Sequence, residues 1–194
     1  MRPGYGMRHP DLVALLAPLR PAVTERITWP GDVVVEVAAY PLPTPVPPDL
    51  VTSVRCIVRV GERIVVCRSP DMFHVWPGGR RLPGETYEMT ARREVYEETG
   101  WLLDEADLRL LGFLHFRYVD AQPDDHPYPH PDFVQVVYTG RAHRRDGRAP
   151  DWIDLDGWEQ GHRLLAASDL SGIDLTAVQR VFIDLLAGTR TTEH

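Results

Sequence analysis

The alternation of apolar and polar residues predicts a chain built mostly of strands. Several runs rich in β-branched and aromatic residues, bounded by proline, glycine or charged residues, have the length and composition of β-strands. They cover residues 32–40, 53–60, 63–68, 108–119, 133–142 and 162–166. Only Gly61 and Glu62 separate the second run from the third, which predicts a hairpin.

One segment in the middle of the chain has helical spacing instead. Tyr87, Ala91 and Val95 recur every four residues, so they fall on one face of a helix. Thr86 is placed to cap the N-terminus of this helix, and Gly100 is placed to end it. The pattern predicts a helix that packs its apolar face on the strands.

A second amphipathic helix is predicted near the end of the chain, between Asp174 and Gly188. Its apolar residues recur at three- and four-residue steps: Leu175, Val178, Val181, Phe182, Leu185 and Leu186. Strands that flank two helices in mixed order predict an α/β sandwich.

The predicted organisation is an N-terminal extension at 1–50, a single domain at 51–188 and a disordered tail at 189–194. Within the extension we expect a short helix at 11–19, the strand at 32–40 and a stiff connector at 41–48 that contains five prolines. The extension either adds a strand to the main sheet or covers a partner subunit in a homodimer. The sequence leaves both possibilities open.

Composition narrows the class of protein. The chain has 194 residues, 43% of them hydrophobic and 25% charged, as in a soluble globular protein. A net charge of −7 argues against a surface for stable nucleic-acid or anionic-membrane binding, and every one of the 21 basic residues is arginine. No apolar run is long enough to span a membrane. Cys56 and Cys67 would face each other across the hairpin, and we expect them to be free thiols. We therefore expect a cytoplasmic protein.

The strongest chemical signal lies on the central helix. Glu94, Glu97 and Glu98 stand at i, i+3 and i+4, so their side chains share about 100° of arc on one face. Like charges at this spacing repel each other, and a bound cation would relieve that repulsion. Carboxylate oxygens are suited to a hard ion such as Mg²⁺ or Mn²⁺, which usually also binds substrate phosphates.

The stretch from Gly79 to Trp101 resembles the Nudix box of Nudix hydrolases. Nine constrained positions of that motif are filled in one ungapped run: Gly79, Glu85, Arg93, Glu94, Val95, Glu97, Glu98, Gly100 and Trp101. The resemblance implies an α/β/α sandwich with a mixed sheet. It also implies Mg²⁺-dependent (or Mn²⁺-dependent) hydrolysis of a diphosphate linkage in a nucleoside diphosphate derivative, which makes a small nucleotide the expected partner.

The resemblance also implies roles for individual residues. Glu94, Glu97 and Glu98 would be metal ligands, and the carbonyl of Gly79 a further one. Arg93 stands four residues before Glu97, so an ion pair between them would hold that carboxylate in the catalytic site. Glu85 would support the metal site through water or orient the box. Glu98 is the leading candidate for the general base, and the alternatives outside the box are Asp124, Asp125, Asp132 and Glu159.

Substrate identity depends on residues outside the box. Trp76, Tyr118 and Tyr128 are candidates for stacking on a base, together with Phe73 and Trp158, and Arg80 is a candidate for phosphate contact. Nucleoside triphosphates or dinucleoside polyphosphates are the leading substrates, since Tyr118 follows Gly100 by 18 residues as in dinucleoside-polyphosphate members. The alternatives are ADP-ribose or a nucleotide sugar, and a non-catalytic nucleotide sensor.

The His- and Pro-rich segment at 124–132 allows three interpretations. It could form a second metal site, a loop that covers the substrate, or a plain surface loop. Its histidine spacing matches no closed zinc site, and its prolines restrict how His126 and His130 approach each other.

Overall fold

The computed structural model describes residues 7–29, 31–70, 72–119, 127–146 and 161–188. Three α-helices occur there, α1 (Pro10–Leu16), α2 (Tyr87–Thr99) and α3 (Ala177–Gly188). The strands are β1 (Val23–Trp29), β2 (Val33–Tyr40), β3 (Val51–Val60), β4 (Arg63–Arg68), β5 (Phe73–His74), β6 (Trp101–Leu103), β7 (Arg109–Tyr118), β8 (Asp132–Arg145) and β9 (His162–Ala166).

The strands form a curled, mixed sheet in the order β1-β2-β7-β8-β3-β4-β5, with β9 beside β4 and β6 beside β8. The long strands β3 and β8 run parallel, and the other pairs are antiparallel. The N-terminal extension joins this sheet, because β2 pairs with β7 from Val35 to Tyr40. Of the two possibilities left open by the sequence, the extension therefore adds strands to the main sheet.

The sequence analysis did not predict three short or polar strands, β1, β5 and β6. In β1 the exposure of side chains alternates along the whole strand, and charged or hydroxyl residues occupy many of its positions. Such an edge strand has a weak apolar signal. The strands β5 and β6 have two and three residues, too few for a periodic pattern.

Two apolar layers, one on each face of the sheet, confirm the predicted sandwich. On one face, α3 packs Phe182 and Leu186 against alternate residues of β2, β7 and β8; we call this the α3 layer. On the other face, Leu12 of α1 and Ala91 and Val95 of α2 pack on the intervening residues of the same strands; we call this the α2 layer. No helix in the described part of the chain is long and apolar enough to span a membrane.

The boundaries of α2 agree with the sequence prediction. The Thr86 side chain accepts a hydrogen bond from the Met89 N–H at 3.2 Å, which satisfies one of the free donors of the first turn. Gly100 adopts a left-handed conformation with φ of 70° and donates its N–H to Tyr96. Between these caps, Ala91 and Val95 are fully buried against the sheet.

The β3–β4 hairpin opens beyond its turn, which corrects one prediction. The strands pair only at Arg59–Ile64 and Val60–Arg63, so Cys56 and Cys67 are not cross-strand neighbours. The segment that follows β4 fills the gap: β5 pairs with β4, and the Pro77 carbonyl accepts the Cys56 N–H at 2.9 Å. Both cysteines are buried, and neither is in a disulfide, as expected.

Candidate active site

The opened hairpin brings residues 77–79, which we call the glycine segment, alongside helix α2. The Val54 N–H donates to the Gly79 carbonyl at 2.9 Å, so this segment is paired with β3 and its position along that strand is fixed. The Gly79 Cα lies directly against Glu94, because an added Cβ would stand 2.6 Å from both carboxylate oxygens of that residue. A side chain at this position would displace the Glu94 carboxylate from where it lies.

Gly78 occupies an equally restricted position. Its φ is +151°, and an added Cβ would stand 2.1 Å from the Val54 carbonyl oxygen. Its N–H points to helix α2 and donates to Glu98 Oε2 at 2.9 Å. The two glycines therefore contact two carboxylates of the predicted set, Glu94 and Glu98.

Arg93 joins three carboxylates of the box in what we call the Arg93 cluster (Arg93, Glu85, Glu94 and Glu97). Its guanidinium binds Glu85 through two parallel bonds, Nε to Oε1 at 2.6 Å and Nη2 to Oε2 at 2.9 Å. Nη1 donates to Glu94 at 2.7 Å and to Glu97 at 3.0 Å. The predicted pair with Glu97 is therefore present, but Arg93 also serves two further carboxylates.

The pKa values of the two inner carboxylates, Glu85 and Glu94, are shifted in opposite directions. The hydrogen bonds from Arg93 lower the pKa of Glu85 to about 2, and the Leu82 N–H and the Thr90 hydroxyl also bind the Glu85 carboxylate. Burial raises the pKa of Glu94 above its ordinary value, although Arg93 and the charge of Arg55 act against that shift. Glu94 is thus a carboxylate whose charge the protein alone does not fully compensate.

The donor set fits a hard divalent ion that keeps part of its water shell. Glu94 and Glu98 lie one helical turn apart beside the glycine segment, and Mg²⁺ commonly binds through one or two carboxylates plus substrate phosphates. Within the described ranges, no group of three His, Cys, Asp or Glu side chains is close enough together to hold a metal ion. Glu97, the third predicted ligand, is instead 54% exposed and paired with Arg93.

The predicted aromatic contacts lie mainly in the α3 layer, on the opposite face of the sheet from α2. Tyr118 is only 6% exposed, and its ring lies 5.4 Å from His130. Tyr128 is half-buried and stacks on Phe133 at 4.8 Å, and Trp76 is half-buried with its ring in a T-shaped arrangement with that of Phe182. Each of these aromatic rings therefore packs against another ring of the protein, whether or not it also contacts a ligand.

The other predicted candidates are placed differently. Arg80 is exposed directly after the glycine segment, and its carbonyl accepts a 3.0 Å hydrogen bond from Arg93. Phe73 is half-buried, with the Arg163 guanidinium 4.7 Å from its ring centre. Several predicted positions lie outside the described residues: Asp124, Asp125, His126, Trp158 and Glu159.

Asp132, an alternative base in the sequence prediction, belongs to a second charged group, the Asp132 cluster (Asp132, Arg8 and His115). Its carboxylate is 1% exposed and accepts two bonds from Arg8, at 2.8 and 2.9 Å. His115 Nε2 lies 2.7 Å from its Oδ1. A carboxylate with these partners at the start of β8 is poorly placed to receive a proton from a substrate water.

Sequence reasoning missed two residues that support the site. Arg55, inside the apolar run of β3, donates to the Gly78 carbonyl and to Gln135 Oε1. A charged residue in the interior of a buried strand is the signal that could have found it. Thr90, whose hydroxyl lies 2.8 Å from Glu85, had no such signal because threonine in a helix is common.

Comparisons with known proteins bear on the fold and the family of the chain. A sequence model of the NUDIX domain matches residues 49–186. No curated protein sequence matches the chain significantly. A Bacillus subtilis pyrophosphohydrolase, BsRppH, has the same fold with a TM-score of 0.57 and 18% identity, over 85% of this chain and 97% of that one.

A second solved structure, a NUDIX hydrolase from Nitrosomonas europaea, matches with a TM-score of 0.51 and 19% identity, over 70% of this chain and 88% of that one. At these identities the two structures establish the fold, while the domain match covers well over half of the sequence. The chain belongs to the Nudix family.

Proposed function

We propose that this Nudix-type pyrophosphohydrolase cleaves a diphosphate linkage in a nucleoside diphosphate derivative with the help of Mg²⁺ or Mn²⁺. The observation that carries the proposal is the contact of the two glycines with two carboxylates: Gly79 lies against Glu94, and the Gly78 N–H binds Glu98. A diphosphate needs close backbone approach and a concentration of acidic oxygen ligands for its divalent cations. Both are found at one place.

Glu94 and Glu98 would hold the divalent ion, and Glu97 would join them if it exchanged its bond to Arg93. Held by these carboxylates, a divalent ion would supply neutralisation of the phosphate charge and activation of the attacking water. The burial that raises the pKa of Glu94 supports this assignment, because a cation would compensate the buried charge. Arg93 would then act by orientation, since its bonds to Glu85 fix the guanidinium beside the ligand carboxylates.

In the proposed reaction the oxygen of a water attacks one phosphorus, and the bond from that phosphorus to the bridging oxygen breaks. Glu98 is the proposed general base, so the proton of the attacking water moves to its carboxylate. The bridging oxygen departs as a phosphate oxygen of the leaving group. The Gly78 N–H keeps Glu98 Oε2 in place at 2.9 Å, which fixes the direction from which the proton can be taken.

Nucleoside triphosphates and dinucleoside polyphosphates are the proposed substrate class. The name of one protein with the same fold, a pyrophosphohydrolase, is in line with this class. Arg80 is best suited to a phosphate, since its side chain is exposed directly after Gly79. Trp76 and Tyr128 are half-buried and keep some ring surface for a base, whereas Tyr118 keeps very little.

A substrate panel with and without Mg²⁺ tests this function. The panel contains nucleoside triphosphates, dinucleoside polyphosphates, ADP-ribose and nucleotide sugars. The nucleoside monophosphate that each reaction releases is measured over time. We expect Mg²⁺-dependent turnover that Glu98→Gln lowers by about 10²- to 10⁴-fold, as for loss of a general base.

Glu88→Gln is the matched control, since Glu88 lies on the same helix but bonds to Tyr138 at 2.8 Å, outside the Arg93 cluster. It should keep wild-type turnover. Equal turnover by wild type and Glu98→Gln would reject the proposed site. Saturable nucleotide binding with no product over hours would instead identify a sensor.

A further inference from the structure

Arg55 connects two strands of the sheet with the glycine segment. It lies in the middle of β3 between two fully buried residues, Val54 and Cys56. Its Nε donates to Gln135 Oε1 on β8 at 3.3 Å, and Gln135 is itself only 7% exposed. Its Nη1 donates to the carbonyl oxygen of Gly78.

The carbonyl that Arg55 binds differs from its neighbours. The carbonyls of Pro77 and Gly79 accept N–H groups of β3, from Cys56 and Val54, in the manner of a strand pair. The Gly78 carbonyl lies between them along the chain and bonds to the Arg55 side chain instead. Arg55 thus binds the one carbonyl of this segment that the β3 backbone does not hold.

The orientation of Gly78 matters because of its other polar group. Its N–H donates to Glu98 Oε2 at 2.9 Å. A glycine has no side chain to limit its backbone angles, so partners on both sides are needed to hold its peptide groups still. The bonds form a chain from Gln135 through Arg55 and Gly78 to Glu98.

We propose that Arg55 is a positioning residue, which fixes the glycine segment through the Gly78 carbonyl and thereby holds Glu98 in its catalytic orientation. The proposal rests on the proposed function, since it gives Glu98 the role described above. Arg55 acts on Gly78 through the peptide group between Gly78 and Gly79 rather than by contact with the substrate. Gln135 supports it by directing the guanidinium along the sheet.

Kinetics of Arg55→Gln test the proposal. The loss of a supporting partner of this kind typically lowers activity by about 10- to 100-fold. We expect that loss in kcat, with KM for the substrate unchanged within about twofold, because orientation is lost while substrate binding is kept. Arg55→Lys keeps one donor and the charge, so it should recover part of kcat.

Arg109→Gln is the matched control. Arg109 is an exposed arginine on β7, which β8 separates from β3 in the sheet, and its replacement should leave kcat unchanged. Thermal unfolding of each variant shows whether the fold is kept. If Arg55→Gln does not fold, Arg55→Lys and Gln135→Leu decide, and both should lower kcat by about 2- to 10-fold at constant KM.

Three results separate this proposal from the function on which it rests. Wild-type kcat in Arg55→Gln, with Glu98→Gln inactive, would overturn the role of Arg55 and keep the function. A large rise in KM at constant kcat would also overturn it, because Arg55 would then bind substrate directly. Full activity of Glu98→Gln would reject the proposed function itself, whatever Arg55→Gln shows.

Discussion

The Arg93 cluster and the Asp132 cluster combine the same kinds of side chain in opposite proportions. In the Arg93 cluster one guanidinium bonds to three carboxylates, so negative charge is in excess. In the Asp132 cluster one carboxylate bonds to a guanidinium and an imidazole, so its charge is matched inside the protein. The first lies at the glycine segment, and the second ties the N-terminal residues to the sheet.

This difference in charge balance distinguishes a candidate cation-binding site from a structural ion pair. A buried carboxylate is tolerated when hydrogen bonds and an opposite charge compensate its loss of water, as for Asp132. In the Arg93 cluster one guanidinium is shared by three carboxylates, which leaves the compensation of their negative charge incomplete. We infer that a divalent cation completes it, and the predictions below test the contrast.

The largest expected effect is on activity in the Arg93 cluster. Glu94→Gln should lower kcat by about 10²- to 10³-fold, because it removes a proposed metal ligand. Its thermal unfolding temperature at neutral pH should stay at or above that of wild type, since burial disfavours the charge that the substitution removes. Steady-state kinetics and a thermal melt on the same preparation check both parts, and an active but unstable variant would contradict the contrast.

The Asp132 cluster should show the reverse behaviour. Asp132→Asn removes the charge that Arg8 and His115 bind, and breaking a buried pair in this way costs about 3–5 kcal/mol of unfolding free energy. At a temperature where the variant is folded, its kcat should remain near wild type. Chemical denaturation and kinetics test this, and a variant that loses kcat without losing stability would make Asp132 part of the site.

The sequence alone could predict much of the Arg93 cluster but not the Asp132 cluster. The Arg93 cluster lies within one continuous motif, so helix periodicity and spacing predicted α2, its caps and the shared face of Glu94 and Glu98. The Asp132 cluster joins residues far apart in the chain, with Arg8 124 positions from Asp132. Such contacts depend on the arrangement of the strands, which local patterns do not determine.

The same reason explains the other differences. The Gly61-Glu62 turn predicted the β3–β4 hairpin. It did not predict that the two strands would separate beyond the turn and that the glycine segment would pair with β3 between them. The role of Arg55 follows from that insertion, because it brings the Gly78 carbonyl to the side chain. The sequence likewise offers aromatic residues as candidates for stacking on a base, but it does not separate ring packing from contact with a ligand.

A third, smaller effect is on the pH dependence of stability. Burial alone would raise the pKa of Asp132, but the bonds from His115 and Arg8 outweigh it and hold the pKa below its ordinary value of 3.8. A carboxyl group with a lowered folded pKa stabilises the protein above its ordinary pKa, and that contribution is lost as the pH falls below it. Wild type should therefore lose stability more steeply than Asp132→Asn between about pH 5 and pH 3.

Denaturant midpoints measured across that pH range check the prediction. Glu85 has a pKa lowered to about 2, so it contributes a slope of the same sign. It is present in both proteins, and the difference between their curves isolates Asp132. Parallel curves would mean that the folded protein does not hold the Asp132 charge as the contacts indicate.

The smallest effect is expected at the exposed side of the Asp132 cluster. The Arg8 side chain is 40% exposed, and His115 remains beside Asp132 when Arg8 is removed. Arg8→Gln should therefore cost less unfolding free energy than Asp132→Asn, on the order of 1–2 kcal/mol, as for a charge-assisted hydrogen bond. A loss equal to that of Asp132→Asn would show that Arg8 alone compensates the buried carboxylate.

Calorimetric titration with Mn²⁺ tests the central claim most directly, because it measures whether the surplus carboxylates at the glycine segment hold a divalent cation. We predict saturable binding by wild type that is lost or at least tenfold weaker in Glu94→Gln and Glu98→Gln, and unchanged in Glu88→Gln and in folded Asp132→Asn. Equal Mn²⁺ affinity in wild type, Glu94→Gln and Glu98→Gln would contradict the claim.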